Sequence, residues 1–273
     1  MVSLVPSLTE AVALSAPGVL VGTTDWCSRP AGLDVVRVGG TKNPDLGRIA
    51  ALAPDLVIAN EEENREPDLA ALRAAGTEVL VTEVRDLPGA FRELARVLGA
   101  CGVRGRPRWL AEAEAVWRDP PRLSLPSRLS LPSRLSVPSR PSVPFRAAVP
   151  VWRRPWMVLG RDTFAGDLLA RMGVDNAYAA HAERYPRVSA GELRAARLDL
   201  VVLPDEPYRF TREDGPEEFP GVRPRQRAPS HVVRAVVGTG TARTGPGAAS
   251  SRPLSRPRAV CAEATVQAAS SRT

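Results

Sequence analysis

Short apolar runs alternate with amphipathic stretches from the first residues of the chain. Residues 2–5, Val-Ser-Leu-Val, are mostly apolar with two β-branched valines, and Ser7-Leu8-Thr9-Glu10 after Pro6 spells a capping box. A strand is therefore predicted to turn directly into a helix over 8–16, leaving backbone N–H groups at its tip. Residues 19–23 predict a short strand ending in Asp25-Trp26-Cys27. After the loop Gly39-Gly40-Thr41-Lys42, Asn43-Pro44 has the form of an N-cap with proline at the first helical position, opening a helix to about Leu52. Ala53-Pro54-Asp55 breaks it, and 56–59 is a buried strand. A helix over 68–75, stopped by Gly76, and a strand over 78–82 complete the series. Strands separated by helices of this length predict parallel β-α-β units.

The pattern returns in the second half. Residues 147–152 predict a strand, Asp162-Thr163 caps a helix through Met172, and Gly173 ends it. Ser189 caps a helix to about Ala196, followed by a strand over 198–203. NPDLGRIAALAPDLVIANEEEN and VSAGELRAARLDLVVLPDEPY share one plan: a capped helix, a break, an Asp-Leu-Val strand, and acidic residues at its carboxyl end. Two similar α/β lobes follow, and in open parallel sheets the carboxyl ends of strands meet ligands or partners. Glu61-Glu62-Glu63 and Asp205-Glu206 then occupy matching edges. Between the lobes, 87–98 and 107–117 are helical by period, with Trp109, Leu110, Ala113 and Val116 on an apolar face.

Two segments break the alternation. From Arg122 the chain repeats RLSLPS, RLSLPS, RLSVPS, RPSVPF. Proline at every sixth position forbids a continuous helix, and an exposed, extended insertion is expected, with proline-rich adaptor docking as its functional alternative. After Val222 no period survives and small residues dominate, the composition of a disordered tail.

These segments change the meaning of the charge. The 273-residue chain carries +7, but residues 120–146 hold five arginines and no acid, and 224–273 hold eight arginines against Glu263. The remainder stands at −5, so nucleic acid is not expected as a partner. At 44% hydrophobic, the rest can form a core. Three widely spaced cysteines, Cys27, Cys101 and Cys261, make neither a disulfide framework nor a zinc knuckle, and His181 and His231 are too few for a histidine metal cage. No window reaches the ~18 apolar residues of a membrane span. The first core strand begins at Val2, so either the protein stays in the cytoplasm or an export signal lies upstream of this start. No Gly-x-Ser-x-Gly, P-loop or dinucleotide fingerprint is present, and the glutamates have no histidine or metal cluster beside them, which argues against an enzyme.

The residues VSLVPSLTEAV, VGTTDWC, RVGGTKNPDLGRIAALAPDLVIANEEENRE, VPVWRRPWMVLGRDTFAGDLLARMGVDNAY and LDLVVLPDEPYRF, in this order, resemble the cobalamin and siderophore type of periplasmic binding protein, the helical-backbone metal receptors. The resemblance covers residues 2 to about 118 and 146 to about 222 and is strongest toward cobalamin-binding members. It implies an α/β fold of two Rossmann-like lobes joined by a long helix, a class III substrate-binding protein. The divisions are an N-terminal lobe (1–86), linking helices (87–118), the hexad insertion (119–145), a C-terminal lobe (146–222) and the tail (223–273). It also implies a monomer that holds a cobalamin-like corrinoid between its lobes and presents one carboxylate per lobe to arginines of an ABC permease. A siderophore or heme is the alternative ligand. By motif the docking residues are Glu66, with Glu61 to Glu63 competing, and Glu206. Ligand contacts fall to Ser7, Asp25, Trp26, Trp152, Arg153, Arg154, Trp156 and Tyr208: indoles for the macrocycle, polar groups for its amide arms. Each tryptophan has core packing as its competing role, and Ser7 has helix capping.

The chain departs from the family after Tyr208. A Leu-Thr-Trp-Tyr-Gly-Pro segment that completes the second lobe is missing, and SHVVRAV stands instead. One codon set for His231 to Val236, read one base later, encodes Thr-Trp-Tyr-Gly-Pro. The tail is therefore expected to be frame-shifted and the second lobe incomplete, with a non-functional product as the remaining alternative.

Overall fold

The computed structural model describes residues 1–120, 145–204, 208 and 210. The body of the hexad insertion, Asp205-Glu206 and the tail lie outside the described residues. The chain divides into two compact units. Residues 1–84 and 88–118 belong to the first; residues 85–87 and the described residues from 119 onward belong to the second.

The first unit is built on a parallel sheet of β1 (Val2–Ser3), β2 (Gly22–Thr23), β3 (Val36–Arg37), β4 (Leu56–Asn60) and β5 (Glu78–Thr82), in the order β3-β2-β1-β4-β5. β4 lies between β1 and β5 and is buried on both faces, which is why LVIAN is a continuous apolar run ending in a polar residue. Its period of two separates two cores. Leu56 and Ile58 pack with α1 (Pro6–Ser15), α4 (Leu87–Ala100) and α5 (Arg108–Arg118) through Leu8, Val12, Leu94, Leu98 and Leu110. Val57 and Ala59 pack with α2 (Leu46–Ala51) and α3 (Glu66–Ala74) through Ile49, Leu69 and Leu72. The segments expected as linking helices are thus α4 and α5, and both contribute to the core of the first unit.

Helix ends show where local chemistry decides. α3 closes in a Schellman motif: Thr77 N–H donates to Leu72 O, Gly76 N–H donates to Arg73 O, and Gly76 takes φ +86°. Two expected starts are corrected. The capping box at Ser7 does not form; Val5 is the N-cap, without a side-chain cap bond, and Ser7 lies inside the first turn. Pro6 causes this, because its fixed φ and missing N–H suit the first helical position and pull the start upstream. The cap expected at Asn43-Pro44 lies at Asp45, whose Oδ1 accepts from Arg48 N–H at 2.9 Å. Pro44 instead bridges Gly39, and Asp45 N–H donates to Val38 O, so the backbone is still extended there.

The second unit holds β6 (Phe145–Ala148), β7 (Pro150–Trp152), β8 (Trp156–Val158), α6 (Phe164–Arg171), β9 (Val174–Asn176), β10 (Arg187–Val188), α7 (Ala190–Ala195) and β11 (Leu200–Val201). β11-β6-β9 form a parallel sheet and β10-β8-β7 an antiparallel one. The single strand expected over 147–152 is two strands in different sheets. Pro150 has no N–H for a continuing ladder, so the chain changes sheets there. Ser189 caps its helix as expected, and it does so in a reciprocal capping box with Glu192, whose carboxyl is held below the usual range first by the Ser189 backbone N–H and then by its side chain. The core of this unit gathers Ala148, Trp156, Val158, Val188, Leu193, Leu198 and Phe210.

Candidate ligand-binding surfaces

In the first unit β1 and β4 are adjacent while their following strands run to opposite sides, which makes a topological switch point at their carboxyl ends. Ser7, Asp25, Lys42 and residues 61–64 follow β1, β2, β3 and β4 on that same edge. Ser7 is half-buried in the first turn of α1.

Asp25 and Trp26 occupy the middle of a turn closed by Cys27 N–H donating to Thr24 O at 3.1 Å. Asp25 N–H donates to Gly39 O at 2.8 Å, tying the turn to the neighbouring loop. Trp26 is 66% exposed, the most exposed of the large apolar side chains among the described residues. Gly40 lies below it: a Cβ there would stand 3.6 Å from the indole Nε1 and 2.3 Å from Asn43 Oδ1. Cys27 is buried, its thiol 3.1 Å from both Thr9 Oγ1 and Thr24 Oγ1, and burial pushes its pKa above the ordinary thiol value despite those hydrogen bonds.

The acidic stretch after β4 is divided by burial. Glu61 is exposed, Glu62 half-buried and Glu63 buried. Lys42 donates to Glu62 O, and its pKa is lowered by burial against the opposing pull of Glu63 and Glu62. Asn64, also buried, accepts from Asn60 N–H at 2.8 Å and donates to Thr41 O at 3.0 Å, stitching the loops after β3 and β4 together. Glu66 opens α3 with a side chain 71% exposed and a 2.8 Å ion pair to Arg73.

In the second unit the predicted residues meet at the β7–β8 hairpin. Trp152 is 40% exposed and meets Tyr208 edge-to-face, with centroids 5.6 Å apart. Trp156 has the opposite environment: 8% exposed, it stacks on Phe210 with ring planes 2° apart. Trp152 is therefore the exposed indole of this hairpin, while Trp156 serves its core. Arg153 and Arg154 form the turn between them, and the Arg153 guanidinium lies 5.6 Å over the Trp156 ring. Glu206 lies outside the described residues.

Sequence reasoning missed Arg37, Gly40, Lys42 and Asn64. Their contacts come from tertiary neighbours: Arg37 from the register that sets Thr23 opposite it, and Gly40, Lys42 and Asn64 from the approach of loops distant in sequence. Among the described residues no group of three or more His, Cys, Asp or Glu could hold a metal ion, Cys27 and Cys101 are free, and no helix is long and apolar enough to cross a membrane.

No protein-family model matches the chain, and no curated protein matches it. Solved structures do. The periplasmic heme-binding protein RhuT of Roseiflexus sp. RS-1 is 23% identical at TM-score 0.58, covering 80% of this chain and 77% of its own. The periplasmic vitamin B12 binding protein BtuF of Vibrio cholerae is 17% identical at TM-score 0.57, covering 81% and 83%. A periplasmic heme-binding protein of Pseudomonas aeruginosa is 24% identical at TM-score 0.58, covering 82% and 78%. The chain is similar to all three, and its fold is the mixed α/β fold, with parallel sheets, of the class III periplasmic binding proteins.

Proposed function

We propose that the chain is a non-catalytic solute-binding protein that captures a tetrapyrrole-type macrocycle outside the cytoplasm and delivers it to an ABC permease. The observation that carries the reading is Trp26, an exposed indole on a pinned turn at the carboxyl edge of a parallel sheet. A lone exposed indole needs no ligand to explain it, but at the carboxyl edge of a parallel sheet, where ligands are met, its flat apolar face suits stacking against a macrocycle. The likeness in fold to vitamin B12 and heme binders supports the same ligand class.

Each unit supplies its own contacts in this proposal. Trp26, Asp25 and Ser7 serve in the first; Trp152, Tyr208, Arg153 and Arg154 serve in the second, with Trp156 as support from below. A corrinoid is the first choice, since neutral and charged hydrogen-bonding groups beside indoles suit its amide arms. Heme is the second reading, favoured by Tyr208: heme iron takes an axial His, Cys, Met or Tyr, and this phenol lies against the exposed Trp152.

Glu66 and Glu206 are the proposed permease-docking carboxylates. The exposed Glu66–Arg73 pair contributes less than about 1 kcal/mol, so exchanging Arg73 for a permease arginine costs little. Titration of the protein with cyanocobalamin and with heme, following tryptophan fluorescence, tests the reading. Saturable quenching by one ligand, weakened in Trp26→Ala, is expected; quenching by neither refutes it.

A further inference from the structure

The turn that carries Trp26 is held from beneath by one side chain. Arg37 Nη1 donates to Thr23 Oγ1 at 2.9 Å, to Thr24 O at 3.0 Å and to Cys27 O at 2.8 Å. Those acceptors lie before the turn, at its first residue and at its last, so one nitrogen ties both ends of the 24–27 turn to the edge strand β3. Two protons serve three oxygens, one of them shared. Charge-assisted bonds of this kind are roughly twice as strong as neutral ones, and the oxygens are partly removed from water.

Arg37 is itself fixed. Its own carbonyl accepts from Arg48 Nη1 at 2.8 Å, and its residue pairs with Thr23 in the sheet. On the inner side of the turn the Cys27 thiol lies between Thr9 and Thr24, and Thr9 Oγ1 is also 2.8 Å from Ser3 Oγ and 2.9 Å from Val5 O. The result is a turn rigid at its base and exposed at its tip.

We propose that Arg37 is the positioning residue that preorganises Trp26 as a ligand platform. The inference rests on the ligand reading above and deepens it. A side chain ordered before binding saves the entropy otherwise lost on binding, so the platform gains affinity without any contact between Arg37 and the ligand.

The test uses the full chain as Arg37→Met, Arg37→Lys, Trp26→Ala and the double variant Arg37→Met/Trp26→Ala, probed with cyanocobalamin and heme. In Arg37→Met, exchange of the Asp25, Cys27 and Ser28 amides is expected to accelerate at least tenfold while β4 amides keep their rates. The affinity for the bound probe is expected to fall about tenfold. Arg37→Lys, which keeps a charged donor but on a shorter side chain, is expected to fall between, and it serves as the measured variant if Arg37→Met does not fold. In the Trp26→Ala background the Arg37 substitution is expected to change affinity less than twofold, a coupling that a merely structural residue would not show. Unchanged exchange at the three amides, equal acceleration across the whole unit, or full additivity of the two substitutions overturns the proposal. Should Trp26→Ala leave both affinities unchanged, the ligand reading fails, and the exchange rates still decide whether Arg37 holds the turn.

Discussion

Gly160 gives the sharpest prediction about the second unit. It follows β8 where the chain is pressed against the segment leading into β10: Gly160 N–H donates to Arg184 O at 2.7 Å and Val158 N–H to Pro186 O at 3.1 Å. A Cβ on Gly160 would stand 2.1 Å from Glu183 O, 2.9 Å from Pro186 Cδ and 3.2 Å from Arg184 O. Carbon–oxygen contacts of this kind normally settle at about 3.3–3.6 Å, so backbone must move by about 1 Å or more. The movement would break one or both of those hydrogen bonds, at about 1 kcal/mol each, and add about 1–3 kcal/mol of overpacking. Gly160→Ala is therefore expected to cost about 3 kcal/mol, a fall in Tm of about 6–12 °C for a chain of this size. Gly99, inside α4 with nothing within 4 Å of its added Cβ, is the counterpart. Gly99→Ala is expected to stabilise by about 0.5–1 kcal/mol through helix propensity. Thermal melts followed by circular dichroism on both variants make the comparison. A Gly160→Ala protein melting within 1 °C of the parent would refute the close approach on which the argument depends.

Trp156→Ala is expected to cost about 3–5 kcal/mol because it empties the stack on Phe210, whereas Trp152→Ala is expected to cost under about 1 kcal/mol and to weaken ligand binding; urea midpoints and a fluorescence titration separate the two. Because burial raises the Cys27 pKa, the folded state keeps this thiol protonated at pH values where the unfolded chain releases the proton. Its stabilising contribution is complete below about pH 8.5, the value of an unperturbed thiol, and is lost as pH rises toward the folded value. The stability difference between the parent and Cys27→Ala, measured in urea from pH 7 to 10, should therefore shrink above pH 8.5. Asn64→Ala removes the acceptor of Asn60 N–H and the donor to Thr41 O and is expected to cost about 2–4 kcal/mol by the same urea assay, with faster exchange confined to the loops it joins.

Much of the first unit was legible because local pattern and tertiary demand agree there. The strand over 78–82, the buried apolar run of β4 and the glycine stop at Gly76 follow from period and backbone freedom alone. The Ser189–Glu192 capping box is local in the same way. Pro6 and Pro150 were read less well. At Pro6 the ring competed with Ser7 for the helix start, and at Pro150 a run that looks continuous by hydrophobicity loses the N–H its ladder needs. The site was legible only as a set of residue types. Trp26 and Trp156 carry the same side chain near similar turns, but the environment of Trp156 is set by Phe210, 54 positions along the chain, and no local signal anticipates that stack. Arg37 was illegible for a related reason: its hydrogen bonds follow from the pairing of β2 with β3, not from its neighbours in sequence.

Whether this chain binds a macrocycle as a folded protein is read most directly from the melting transition of the full chain with and without ligand. A ligand that binds only the native state adds about 2.7 kcal/mol at a hundredfold excess over its Kd. Cyanocobalamin or heme at that excess is predicted to raise the transition by several degrees, in step with ligand concentration. A cooperative melt that neither ligand moves at any concentration up to millimolar would contradict the account.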